Sequence, residues 1–190
     1  MGEERHGRGG GESAAAQYER SKMSDLAVLA ERVAQRLTER GETVAIAESS
    51  AGGLISAALL AVPGASKFYV GGAVVYTARA RLTLMDIPQK AMDGLRSASE
   101  PYAVMLARVA RKNLKATWGL SETGAAGPDG NRYGDLPGHC CMAAVSEEVS
   151  VSATLETGSA DRPANMQVFA AAALKHLLET LDAQAAPKSE

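Results

Sequence analysis

The residues best placed for chemistry lie in Ala47-Glu48-Ser49-Ser50-Ala51-Gly52-Gly53-Leu54, where two adjacent hydroxyls and two glycines separate a strand-like run from a helix-like one. Hydroxyls at such a junction face the unpaired amides and positive dipole end of the new helix, which suits a nucleophile or a phosphate cradle. The glycines let backbone approach a ligand closely. A plainer role competes, with Ser49 or Ser50 acting as the N-cap of the helix. The spacing is neither a G-x-S-x-G elbow nor a P-loop, so the residues alone leave both roles open. A second glycine-rich turn, Thr123-Gly124-Ala125-Ala126-Gly127-Pro128-Asp129-Gly130, follows a strand-like run from Trp118 to Glu122.

These turns need elements to hold them. Ser24 is expected to cap a first helix carrying Leu26, Leu29, Val33 and Leu37 at helical spacing and stopping at Gly41. Thr43 to Ala47 reads as a strand, Leu54 to Leu60 as a helix, Phe68 to Tyr76 as a second strand, and Thr77 to Met85 as a short helix. Ser99-Glu100-Pro101 is a helix start: serine as cap, an acid in the first turn, proline where no amide is needed. His139 to Val145 and Val149 to Leu155 form a late hairpin, and Asp161-Arg162-Pro163 opens a final helix with Met166, Phe169, Ala173, Leu177 and Leu181 on one face. Alternating strands and helices with a closing hairpin predict an α/β fold, a single-domain layered α/β/α with a mixed sheet. In such sheets, loops at strand ends build the ligand site, so both glycine-rich turns are expected to face one pocket.

Composition narrows the classes. The 190 residues suit one domain, expected over 24–183, with disordered tails at 1–23 and 184–190. A formal charge of −2 and no basic block argue against a nucleic-acid partner. No apolar run approaches the roughly 20 residues of a membrane span. The only cysteines, Cys140 and Cys141, read as buried thiols of a reducing compartment. With no signal-peptide core, the expectation is a cytoplasmic protein acting on a small molecule.

Glu48-Ser49-Ser50-Ala51-Gly52-Gly53-Leu54, Val62-Pro63-Gly64-Ala65-Ser66, Gly72-Ala73-Val74-Val75-Tyr76, Ala98-Ser99-Glu100 and the turn from Thr123 to Gly130 follow one another in an order that resembles the C-terminal domain family of the competence/damage-inducible protein CinA. The resemblance runs from about Ala27 to Leu181. Stand-alone members are nicotinamide-nucleotide amidases, which hydrolyse the carboxamide of nicotinamide mononucleotide to nicotinate mononucleotide and ammonia without metal or cofactor. It implies Ser49 as nucleophile, with Ser50 in place of the family's cysteine and Ala51 in place of its threonine. Tyr76 would lie near the substrate. Backbone amides near Gly52 and Gly53 would serve as oxyanion or phosphate donors, while Gly124, Gly127, Asp129 and Gly130 would hold the nucleotide. The resemblance also implies a homo-oligomer.

The sequence departs from the family at the base. There the tyrosine is followed by Ser-Asn-x-x-Lys, whose lysine pairs with the nucleophile; here Tyr76 is followed by Thr77-Ala78-Arg79-Ala80-Arg81, which sets Arg81 on the lysine position. A guanidinium is effectively always protonated, so it stabilises negative charge or binds phosphate rather than accepting the serine proton. Lys67, Lys90 and His139 are the other candidates for a base, and Glu48 should point away from Ser49 and anchor the turn. Arg162, in a loose version of the family's Gly-Asp-Arg element, is a candidate phosphate contact or a solvated helix-start residue. Two further readings stay open: a nucleotide- or protein-binding module without turnover, and an amidohydrolase on another substrate.

Overall fold

Val44–Glu48 is buried at all five positions, so this strand, β1, needs cover on both faces and a neighbour on each edge. It receives both. The computed structural model describes residues 14–185, with side chains over 25–184. Within it, β1 pairs in parallel with β2 (Tyr69–Val74) on one side and β3 (Trp118–Ala125) on the other. Strands β4 (His139–Val145) and β5 (Ser150–Glu156) continue antiparallel, giving the order β2-β1-β3-β4-β5. The architecture is the expected mixed-sheet α/β fold.

Parallel neighbours require crossovers, and these supply the helices. Helix α2 (Leu54–Leu60) carries β1 to β2 and packs with α1 (Ala14–Arg40) and the last helix, α5 (Arg162–Ala185), over one face of the sheet. Their shared core includes Leu37, Ile46, Ile55, Leu59, Phe68, Leu120, Phe169, Leu174 and Leu177. The route from β2 to β3 runs over the other face through α3 (Ala78–Met85) and α4 (Glu100–Leu114). There Ala45, Ala47, Val75, Met85, Tyr102 and Leu106 form a second core. At about 25 cal/mol per Å² of apolar surface, two such cores are the main source of stability.

Local chemistry sets the starts. Thr77 caps α3, its Oγ1 accepting from the Ala80 amide at 3.1 Å, and Ser99 caps α4 through the Tyr102 amide. The first helix differs from expectation: it begins by Ala14, so Ser24 lies inside it rather than capping it. Residues 14–23 read Ala-Ala-Ala-Gln-Tyr-Glu-Arg-Ser-Lys-Met, mostly strong helix formers with no glycine or proline to stop propagation. The remainder of the expected tails, 1–13 and 186–190, lies outside the described residues. Strand β3 also runs further than Glu122, so Thr123, Gly124 and Ala125 are ladder residues opposite Cys141, Cys140 and His139. No helix among the described residues is long and apolar enough to cross a membrane.

Candidate active site

Ser49 stands one residue past β1, where strand geometry has just sent Glu48 to the opposite side. Glu48 is fully buried, and its carboxylate closes the turn. Its Oε2 accepts from the amides of Gly53 and Ile55, both at 3.0 Å. Its Oε1 accepts from the Ser56 amide at 2.8 Å and the Ser56 hydroxyl at 2.5 Å. The orphan amides at the start of α2 are therefore met by an acid from the preceding strand, as their positive potential favours.

A second buried carboxylate holds the other half of the turn. Glu122, at the middle of β3 and wholly out of solvent, accepts at Oε2 from the amides of Ser49 (3.0 Å) and Ala51 (2.8 Å). Burial pushes its carboxyl up to about 7, against the pull of those two amides, with the neighbouring Glu48 adding to the rise. Nothing in the sequence singled out Glu122 for this role. Its one signal was an acid inside a strand whose other residues are small, apolar or hydroxylic.

In front of the turn lies a cleft of about 690 Å³, within the size range of small-molecule sites. Ser49, Tyr76, Arg81 and Gly124 all line it, so the three residues expected to carry chemistry share one cavity. Thr123, at the head of the second glycine-rich segment, lines it too, while Gln89, Tyr102, Asn131, Arg132 and Tyr133 complete much of the wall and were not anticipated. Arg81 is buried: its Nη2 donates to Gln89 Oε1 at 2.7 Å, while its Nε has no hydrogen-bond partner. Among the described residues, no carboxylate forms an ion pair with it. An enclosed guanidinium with an orphan donor is costly, and an anionic ligand group would relieve that cost.

The other expected residues are placed differently. Ser50 is buried and turned back toward Glu122, away from the cleft lining. The amides of Gly52 and Gly53 are spent within the turn, on the Ser49 carbonyl (3.2 Å) and on Glu48, which leaves neither free to meet an oxyanion. Both glycines have positive φ, and a Cβ on Gly52 would come 2.8 Å from Met166 Cε, so the turn demands glycine for shape. Gly127 accepts at its carbonyl from Arg162 Nη1 (2.7 Å), whose Nη2 donates to the Tyr76 hydroxyl at 3.1 Å. Arg162 thus ties the second glycine-rich turn to Tyr76. Asp129 and Gly130 are exposed beyond it, outside the cleft lining.

The candidate bases do not converge on Ser49. Lys67 and Lys90 are exposed and do not line the cleft. His139 sits behind the wall, its Nε2 donating to the Ala98 carbonyl at 3.0 Å and its Nδ1 meeting Glu156 Oε1 at 2.5 Å. Burial works to lower its pKa, but Glu156 and Ala98 outweigh that and hold it raised. Its role is a clasp: with the Arg96–Asp135 ion pair and the Asn131–Asp135 bond of 2.8 Å, it fastens the loop bearing Arg132 and Tyr133 to the start of α4.

Comparison with known proteins agrees with this architecture. The profile of the CinA C-terminal domain matches residues 26–181. A CinA-like protein of Myxococcus xanthus is 36% identical over 151 residues, covering 78% of this chain and 34% of its own length. One from Desulforapulum autotrophicum is 29% identical over 176 residues, covering 88% of this chain and 42% of its own. The chain therefore spans well under half the length of these relatives. Among solved structures, a CinA superfamily protein from Escherichia coli superposes with a TM-score of 0.77 at 26% identity, covering 83% of this chain and 91% of that one. A competence/damage-inducible protein from Agrobacterium tumefaciens gives 0.76 at 26% identity, covering 83% and 96%. With a buried-strand junction, a shared cleft and a profile match over most of its length, the chain belongs to the CinA C-terminal domain family.

Proposed function

We propose that this chain is a nicotinamide-nucleotide amidase-like hydrolase whose substrate carries a carboxamide and a phosphate. The observation that carries the reading is the arrangement of Ser49, Tyr76 and Arg81 around one cleft of mononucleotide size. Ser49 Oγ attacks the amide carbon and negative charge grows on the carbonyl oxygen. The serine proton passes to the amide nitrogen as the C–N bond breaks and ammonia leaves, and water then cleaves the acyl ester on Ser49 to give the carboxylate and restore the hydroxyl. Arg81, protonated and with Nε unpaired, is the group suited to that charge or to the phosphate. Tyr133 and Arg132, which also line the cleft, add an aromatic face and a second cation.

One observation favours a second reading, a nucleotide-binding module without turnover. Arg81 occupies the position at which a lysine would accept the serine proton, and it cannot do so. Ammonia release from nicotinamide mononucleotide decides between them. Turnover by the wild-type chain that Ser49→Ala abolishes supports the hydrolase. A silent wild type awakened by Arg81→Lys identifies a site disabled only at its base. Silence in both, with saturable nucleotide binding, establishes the binding module.

A further inference from the structure

Glu122 is a buried ionisable group that the cleft chemistry leaves unused. It does not line the cleft; it lies behind Ser49, on the side of the sheet covered by α2 and α5. Both of its amide contacts converge on one oxygen, Oε2. The other, Oε1, faces Cys140 Sγ at 3.9 Å. We infer that Glu122 is the positioning residue of the nucleophile turn, setting through the amides of Ser49 and Ala51 where the Ser49 hydroxyl stands in the cleft. The inference rests on reading Ser49 as the reactive residue.

The geometry makes this hold depend on charge. Amide bonds to an ionised oxygen are shorter and about twice as strong as those to a neutral one. A proton taken at Oε1, on the Cys140 side, leaves Oε2 accepting both amides but removes the charge that tightens them. The groups facing Glu122 are the Glu48 carboxylate from β1, the Ser50 hydroxyl from the turn, and the Cys140 thiol from β4. Helix α2 carries no ionisable residue, and α5 brings Met166 against Gly52 and Asn165 onto the Ala126 carbonyl at this corner. With burial holding the carboxyl near 7, the turn changes its grip within the ordinary pH range of a cell. Thiol ionisation does not compete there, because burial raises Cys140 well above its usual value.

The test reads the turn directly, whether or not the protein turns over substrate. In proton–nitrogen spectra of the isotope-labelled full chain, the Ser49 and Ala51 amides titrate together with a midpoint close to pH 7. Their proton resonances move downfield as Glu122 ionises. Glu122→Gln, which keeps shape and an acceptor oxygen but cannot ionise, locks both at their low-pH positions. Flat Ser49 and Ala51 resonances between pH 5.5 and 8.5 in the wild type would overturn the inference, as would titration that persists in Glu122→Gln. If ammonia release is detected, its rate rises with pH through the same midpoint in the wild type, and this step is absent from the Gln profile while KM changes less than kcat. If none is detected, the hydrolase reading fails and the amide titration still decides the role of Glu122.

Discussion

A carboxylate buried in one strand holds the serine-bearing turn that follows another, and this has a thermodynamic signature. Glu122 binds its proton more tightly folded, near 7, than unfolded, near the ordinary 4.5. Between those values the folded state carries more protons, so stability falls as pH rises from 4.5 through 7. At 1.36 kcal/mol per unit, the loss is about 3 kcal/mol. Urea unfolding at pH 5 and pH 8 should show this decline in the wild type and a much smaller one in Glu122→Gln. The sequence revealed Glu48 as the turn's anchor because that role is local, between neighbours five to eight residues apart. It hid Glu122 because that role exists only once β3 has paired with β1, bringing Ser121 opposite Ala47. The same distinction applies to Arg81: its position was legible, but its buried state and its bond to Gln89 were not.

At the scale of elements, one glycine sets how closely a helix can lie on the sheet. A Cβ on Gly119, in β3, would stand 1.9 Å from the Ala107 carbonyl oxygen of α4, an atom of helix backbone that no rotamer change can move. Gly119→Ala must therefore push α4 off the sheet, and the cost should be about 3 kcal/mol, near the upper end of overpacking penalties. Chemical denaturation measures it; a loss below about 1 kcal/mol would mean that the helix shifts freely. Because Tyr102 and Ala98 reach the cleft from the start of the same helix, the nucleotide affinity proposed for that cleft should weaken too. Apolar spacing and the cap at Ser99 made most element positions legible. The start of α1 was not, since Ser24 offered a cap where the chain had already been helical for ten residues.

Across the whole molecule, several groups with shifted pKa values set a common optimum. Burial is the first influence on both Asp135 and Glu42, yet ion pairs with Arg96 and Arg40 prevail and hold both acids low. Their contribution is present above the ordinary carboxylate range and is lost as pH falls through it. His139 is raised, so its contribution is complete below about 6.5 and is lost as pH rises, in the same direction as that of Glu122. Thermal midpoints should peak between about pH 5 and 6, and a maximum at or above pH 7 would contradict this account. The layered α/β/α arrangement was readable from alternating elements, whereas this balance was not, since it depends on which charges the fold encloses.

The two acids that staple the Ser49 turn come from opposite ends of a long chain segment: Glu122 reaches back 73 residues, while Glu48 acts within eight. Closing so large a loop carries an entropic cost before any contact repays it. The turn can gain its local half from β1 and α2 alone, but its second half must wait for β3 to dock. Reactivity at Ser49 would then be acquired late in folding, and a chain with its helices formed and its sheet incomplete would carry the serine without the geometry to use it.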